Sequence, residues 1–219
     1  MLVTSRSYAE YEAMFDLKVL PESVLDCCAG GAGFTAEAAA RGVDAIAADP
    51  AYAKDHAELV DAVRRSLPAT AGIVDEHRGS FVWHWYGSPE RKDQHRIEAA
   101  DRFLQDVAAA PERYVAAGLP ELPFGDRRFE LVLCSHLLFT WADKYDLDWH
   151  TAALRELIRV SNAEVRVFPL VQQGAGAPVP WMAELLGRLE SLEGVTTEIR
   201  KVPYEFQAGA NEMLVVTRT

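Results

Sequence analysis

Apolar and polar positions repeat along the chain with two periods, which predict strands and helices in turn. Largely apolar runs predict strands over residues 23–28, 43–48, 113–117, 129–134, 164–170, 196–202 and 213–218. Helical spacing predicts helices over residues 7–16, 34–41, 53–66, 89–109, 150–160 and 181–190, the third ending just before Pro68. The alternation predicts a doubly wound, mostly parallel seven-stranded sheet of Rossmann-like α/β type. A loop of about ten residues joins the last two strands, so this C-terminal pair is predicted to be an antiparallel hairpin.

The length of 219 residues suffices for one α/β domain with a sizeable core. No repeat, low-complexity tract or linker interrupts the pattern, so a single domain over residues 1–219 is predicted. Residues 69–110 do not form a clean strand–helix unit. They are predicted to be a helical and aromatic insertion before the third strand.

The most informative stretch is the turn from Cys28 to Gly33, which joins an apolar strand to a helix. A turn of small residues lets a ligand approach the backbone, because no large side chain stands in the way. Asp49 follows about 20 positions later, at the tip of the next strand, where a carboxylate can accept hydrogen bonds from ribose hydroxyls. The sequence therefore predicts an adenosine-type ligand at the carboxyl edge of the sheet.

Charge and cysteine content narrow the class of protein further. The formal net charge of −11 argues against a nucleic-acid partner, since phosphate backbones require clustered basic residues. We see neither a secretory leader pattern nor an apolar run of membrane-spanning length, so a cytoplasmic protein without a membrane partner is expected. Three cysteines, Cys27, Cys28 and Cys134, lack zinc-site spacing, which favours reduced, metal-free thiols.

Five motifs in this order resemble a known enzyme family. They are the glycine turn within residues 24–35, the acidic Asp49, a loop and strand over residues 122–136, the helix at residues 155–160 and the terminal strand pair. Together they resemble the class I S-adenosylmethionine-dependent methyltransferases, small-molecule branch, over nearly the whole chain. Two departures stand out: Cys28 and Ala32 replace glycines of the family motif, and Gly118 stands where an acidic residue often meets the adenine.

The resemblance implies S-adenosylmethionine as the cofactor and a set of residues that would hold it. Asp26 would orient the turn and the cofactor's amino group, and Asp49 would bind the ribose. The full set is Asp26, Ala29, Gly30, Gly31, Asp49, Pro50, Leu119, Pro120 and Ser135. The residue patterns alone leave simpler roles open, since Asp26 suits a turn cap and Asp49 a helix N-cap.

Candidate residues for the acceptor come from three other places in the chain. His136 follows the fourth strand and is the candidate general base, although a histidine satisfied by neighbouring backbone fits the sequence equally well. Trp83, Trp85 and Tyr86 are predicted to wall the acceptor site or, alternatively, to pin the insertion to the core. Tyr8 and Tyr11 on the first helix are predicted to close over the site, with core packing as the alternative.

The expected reaction is methylation of a small, partly apolar molecule, at oxygen or nitrogen. One alternative is a nicotinamide-dependent oxidoreductase, because Cys28-x-Gly30-x-x-Gly33 is one residue from the dinucleotide fingerprint. Against it, the second half of the chain has no second βαβαβ unit. The other alternative is a non-catalytic, methyltransferase-like binding subunit, which the glycine at position 118 favours.

Overall fold

Seven strands form a single sheet in the computed structural model of the protein, which describes residues 3–174 and 176–218. In chain order the strands are β1 Ser23–Cys27, β2 Asp44–Ala48, β3 Tyr114–Val115, β4 Phe129–Ser135, β5 Ser161–Phe168, β6 Val195–Lys201 and β7 Glu212–Arg218. Their order across the sheet is β3-β2-β1-β4-β5-β7-β6. The strands from β3 to β5 run parallel, whereas β7 is antiparallel to both β5 and β6. The predicted sheet and its antiparallel terminal hairpin are confirmed.

Six α-helices flank the sheet in the described part of the chain: α1 Tyr8–Met14, α2 Phe34–Ala40, α3 His56–Glu76, α4 Pro89–Ala109, α5 Leu147–Val160 and α6 Met182–Glu190. The first begins with a capping box, in which the Ser7 side chain and the Glu10 side chain each satisfy the other residue's backbone amide. Within residues 3–174 and 176–218, no helix is both long and apolar enough to span a membrane.

The predicted end of the third helix before Pro68 is wrong. Helix α3 continues to Glu76 with Pro68 inside it. A proline removes one backbone hydrogen bond and crowds the preceding turn, but here its ring lies on the exposed side of the helix. The Thr70 hydroxyl donates to the Ser66 carbonyl at 2.9 Å, within the turn that contains Pro68.

Strands β1 and β4 form the centre of the sheet and place their carboxyl ends side by side. Cys27 is in register with Cys134, and both side chains are fully buried. The apolar run of β4 is buried almost throughout, because helices cover both faces of a parallel sheet. The residues that follow β1, β2 and β4 therefore meet at one edge.

Candidate functional site

The glycine turn after β1 is covered by the N-terminal segment, residues 3–7. The Gly31 amide donates to the Thr4 carbonyl at 3.1 Å, and the Gly33 amide donates to the Arg6 carbonyl at 2.9 Å. A Cβ atom on Gly30 would lie 3.0 Å from the Thr4 oxygen, and Gly30 itself has a φ of +59°. The small residues of the turn thus permit the close approach of this segment, a role that no local sequence pattern indicates.

Asp26 lies at the end of β1 with one carboxylate oxygen unpaired. Its side chain is 1% exposed, and Oδ1 accepts a hydrogen bond from the Tyr11 hydroxyl at 3.1 Å. Oδ2 is buried without a partner among the described residues. Burial raises the pKa of Asp26 to about 8, although the Tyr11 hydrogen bond opposes the rise. Such a carboxyl group lacks the positive partner that would keep it ionised at neutral pH.

Asp49 ties the second strand to the glycine turn. Oδ2 accepts from the Gly30 amide at 3.0 Å. Oδ1 accepts from the Ala51 amide at 2.8 Å, so Asp49 also caps the short 3₁₀ helix Pro50–Ala53. Each oxygen keeps a second lone pair, so the carboxylate retains capacity for hydroxyl donors. Burial raises the pKa of Asp49 to about 6.

The glycine at position 118 is explained by contact with the residue after Asp49. A Cβ atom on Gly118 would lie 2.7 Å from Pro50 Cγ, a separation that real Cβ atoms do not tolerate. An acidic residue at position 118 is therefore incompatible with this position of Pro50. Leu119, next in the chain, is half-buried and packs against the core cluster that includes Cys134. Pro120 follows it through a cis peptide bond.

The three cysteines are close together below this edge and are free. The sulfur atoms of Cys27 and Cys28 are 3.9 Å apart. Hydrogen bonds from Cys134 and Cys27 lower the pKa of the Cys28 thiol. Among residues 3–174 and 176–218, no group of histidine, cysteine or carboxylate side chains has the geometry of a metal site. That the thiols are reduced and metal-free in solution remains a prediction.

His136 directly follows β4 and adopts a left-handed backbone with a φ of 54°. Its Nδ1 lies 2.8 Å from the Ser135 hydroxyl, and its backbone amide donates to the Phe168 carbonyl. Burial lowers the pKa of His136 well below its ordinary value, and the positive charges of Arg6 and Arg96 add to the effect. The imidazole is therefore neutral at physiological pH.

The aromatic stretch of the predicted insertion packs beside the loop that joins β6 and β7. Trp83 contacts Phe206 edge-on at 5.4 Å between ring centroids. Trp85 packs on Tyr204 at 5.1 Å. Tyr86 is 1% exposed. Trp83 and Trp85 are half-buried, so the stretch anchors the insertion and still leaves part of both residues exposed.

The two tyrosines of α1 lie in different surroundings. Tyr11 is buried and donates to Asp26, so it positions a residue that is a candidate for binding the cofactor. Tyr8 stacks on Phe34 at 5.6 Å, with the Arg41 guanidinium 4.0 Å from its ring centroid. The structure thus brings Tyr11, Asp26 and the glycine turn together, whereas Tyr8 faces α2.

A buried ionic network lies next to these residues, and sequence reasoning missed it. Arg96 Nη2 is 3.0 Å from Glu10 Oε1 and donates to the Tyr86 hydroxyl at 3.2 Å. The Tyr86 hydroxyl donates to Glu10 at 2.6 Å and lies 2.9 Å from the Tyr204 hydroxyl. Burial alone would raise the pKa of Glu10, but Arg96 and Arg6 outweigh it and lower the value. The S-x-x-E capping box was the one local signal for Glu10.

Comparison with known proteins gives one relative in sequence and several in structure. No family model matches the sequence. Uncharacterized protein MJ0045 of Methanocaldococcus jannaschii is 24% identical over 224 residues, which cover 99% of this chain and 96% of the relative. A TehB-like SAM-dependent methyltransferase from Corynebacterium glutamicum superposes with a TM-score of 0.50 at 15% identity, over 97% of this chain and 86% of that one. The chain has the class I methyltransferase fold.

The mitomycin 7-O-methyltransferase shares this fold with a TM-score of 0.50 and 14% identity. The match covers 97% of this chain and 53% of that enzyme. The resemblance drawn from the sequence motifs is confirmed at the level of the fold. In the class I methyltransferase fold of this chain, Asp26, the glycine turn, Asp49 and His136 all lie at the carboxyl edge, where open α/β sheets bind their ligands.

Proposed function

We propose that this protein transfers a methyl group from S-adenosylmethionine to a small acceptor. One observation carries the proposal: in a class I methyltransferase fold, Asp26, next to the last residue of the first strand, has a buried, unpaired oxygen. A buried carboxyl oxygen without a partner is unusual, because burial of polar atoms is normally compensated by hydrogen bonds. The ammonium group of a methionine-type ligand would supply both the missing donor and the missing positive charge.

When bound, S-adenosylmethionine supplies a methyl group activated by a sulfonium. Asp26, oriented by Tyr11, would hold the amino group, and Asp49 would accept hydrogen bonds from the ribose through its free lone pairs. Pro50 and Leu119 would flank the adenine without an acidic contact, since Gly118 bears no side chain. The chain's main task is to align donor and acceptor in a site that excludes water.

His136 is the proposed general base for an acceptor that arrives protonated. In the tautomer whose Nδ1–H donates to Ser135 Oγ, Nε2 carries a lone pair that can take a proton. Its lowered pKa keeps the imidazole in this uncharged form at neutral pH. We propose methylation at oxygen or nitrogen, with Trp83 and Trp85 as apolar contacts for the acceptor.

Calorimetry of the purified protein tests this function against the oxidoreductase alternative. S-adenosylhomocysteine should bind, whereas NAD should not. Asp49→Ala should lose about 1–3 kcal/mol of binding free energy, because the ribose hydroxyls lose their acceptor. Asp61→Ala, at an exposed position on α3, is the matched control and should bind normally. Binding of NAD in place of S-adenosylhomocysteine would reject the methyltransferase proposal.

A second measurement separates an enzyme from a binding subunit. Mixtures of small hydroxyl and amine compounds with S-adenosylmethionine should yield S-adenosylhomocysteine in the presence of the protein, and His136→Ala should reduce the yield. Tight cofactor binding with no turnover on any acceptor class would favour the non-catalytic alternative.

A further inference from the structure

Arg6 is a half-buried cation that makes no ion pair among the described residues. Its backbone carbonyl is fixed by the Gly33 amide, which places the residue directly over the glycine turn. Its Nε atom is buried and has no hydrogen-bond partner among the described residues. Among residues 3–174 and 176–218, no carboxylate lies within ion-pairing distance of the Arg6 guanidinium.

Arg96 provides a direct contrast within the same cluster. Its guanidinium contacts Glu10, the Tyr86 hydroxyl and the Ser5 carbonyl, so its hydrogen-bonding capacity is largely used inside the protein. Glu10 is the anion of this pair and is itself saturated by Tyr86 and Ser7. Arg6 therefore makes no direct ion pair with Glu10, whose charge acts on it only from a distance.

The charge balance of the cluster leaves one positive charge uncompensated. Arg6 and Arg96 contribute two cations, and Glu10 contributes one anion. Asp26 is mostly protonated at pH 7, since its pKa is about 8. Burial lowers the pKa of Arg6 and repulsion by Arg96 adds to it, and together they outweigh the opposing effects of Tyr204, Glu10 and Tyr86. A half-buried cation without a direct counter-ion is stabilised when an ion of opposite sign binds to it.

We propose that Arg6 binds an acidic group, a carboxylate or a phosphate, of the methyl acceptor. The inference rests on the proposed methyltransferase function. A guanidinium with free donors suits such groups, because its fork of N–H bonds matches two acceptor oxygens.

The position of Arg6 favours the acceptor over the cofactor as the source of that anion. Ser5, the neighbour of Arg6, is held by Arg96, which also donates to Tyr86 in the aromatic stretch proposed for the acceptor. The charge of Arg6 also acts on His136, the candidate base. Phe168 packs 5.5 Å from the His136 ring and 5.8 Å from Tyr204. Phe168 and Tyr204 are each 1% exposed, so they support His136 from the core and leave the apolar contacts of an acidic acceptor to Trp83 and Trp85.

Benzoate, its neutral analogue benzamide and inorganic phosphate serve as probes in calorimetry at constant ionic strength. Benzoate should bind the free protein and also the protein saturated with S-adenosylhomocysteine, whereas benzamide should bind at least tenfold more weakly. Arg6→Gln should weaken the binding of benzoate at least tenfold, and Arg6→Lys should retain part of the affinity. The control variant Arg64→Gln, at an exposed position on α3, should bind benzoate like the wild type. Binding of phosphate but not of benzoate would indicate that the acceptor carries a phosphate group. Failure of both anions to bind, or equal binding to Arg6→Gln, overturns the inference.

Two further readouts distinguish an acceptor site from a cofactor contact and from a structural role of Arg6. Methylthioadenosine lacks the carboxylate of S-adenosylhomocysteine. If Arg6→Gln weakens the binding of S-adenosylhomocysteine tenfold but leaves that of methylthioadenosine unchanged, Arg6 holds the cofactor's own carboxylate and the acceptor assignment is wrong. Competition between benzoate and S-adenosylhomocysteine leads to the same conclusion. Arg6→Gln should melt no lower than the wild type, because it removes an unbalanced charge, and a lower melting temperature would indicate a structural role. If S-adenosylhomocysteine fails to bind the wild type, the proposed function fails, while benzoate binding to the free protein still decides whether Arg6 is an anion site.

Discussion

Binding of S-adenosylhomocysteine should release a proton from Asp26, and this release reports directly on the proposed site. In the free protein the carboxyl group is buried and half-paired, with a pKa of about 8. An ammonium group at the unpaired Oδ2 would favour the carboxylate and return its pKa towards the ordinary value of about 4. The proton held by the free protein must then leave when the ligand binds.

The size of the effect follows from the free-state pKa. At pH 7 a group with a pKa of about 8 is ~90% protonated, so binding should release ~0.9 proton per ligand. The release should fall to ~0.5 at pH 8 and ~0.1 at pH 9. By linkage, affinity should rise almost tenfold per pH unit below pH 8 and level off above it. Asp49, with a pKa of about 6, contributes only ~0.1 proton at pH 7.

Calorimetry at pH 7 in buffers of different ionisation enthalpy measures the released protons. Asp26→Asn keeps an oxygen for the Tyr11 hydroxyl but cannot ionise, so its binding should be weaker and should release almost no proton. Asp49→Asn is the matched control and should bind more weakly while still releasing the Asp26 proton. Binding without proton release in the wild type would refute the assignment of the amino group to Asp26.

Three further predictions concern stability, measured by urea unfolding. Arg96→Gln should lower the free energy of unfolding by about 3–5 kcal/mol, because Glu10 would be left buried without its cation; a loss below about 1 kcal/mol would contradict the pairing. Gly118→Ala should cost about 1–3 kcal/mol, since its Cβ would lie 2.7 Å from a proline carbon, whereas Gly125→Ala, with no atom within 4 Å of the added carbon, should be nearly neutral. Because the pKa of Asp26 is raised, the folded state keeps a proton that the unfolded state loses above about pH 4. The contribution of Asp26 to the free energy of unfolding therefore falls by about 1.4 kcal/mol per pH unit up to about pH 8. The stability of Asp26→Asn relative to wild type should therefore increase from pH 5 to pH 8, and a constant difference would count against the raised value.

The order of strands and helices could be predicted from the sequence because period and burial agree along most of it. The run that becomes β4 is apolar apart from Glu130 and the terminal Ser135. Helix α4 has the predicted bounds because Ser88 and Pro89 mark its start. The end of α3 could not be predicted, since local chemistry at Pro68 favours a stop. The helix continues because the proline ring lies on its exposed side.

The candidate site could be predicted only where a residue type has a role in its own strand or turn. Asp26 and Asp49 stand at strand ends, so their importance can be inferred from position. The roles of Arg6 and Arg96 depend on contacts between segments far apart in the chain, as in the bond from Arg96 to the Ser5 carbonyl. No local pattern marks these arginines, because exposed arginines in polar stretches have the same sequence signature.

A crystal structure of the protein with S-adenosylhomocysteine tests the central claim most directly. The account predicts the ligand's amino nitrogen about 2.7–3.2 Å from Asp26 Oδ2 and its ribose hydroxyls at the Asp49 carboxylate. A ligand bound away from these two carboxylates, or an Asp26 Oδ2 still unpaired in the complex, would contradict it.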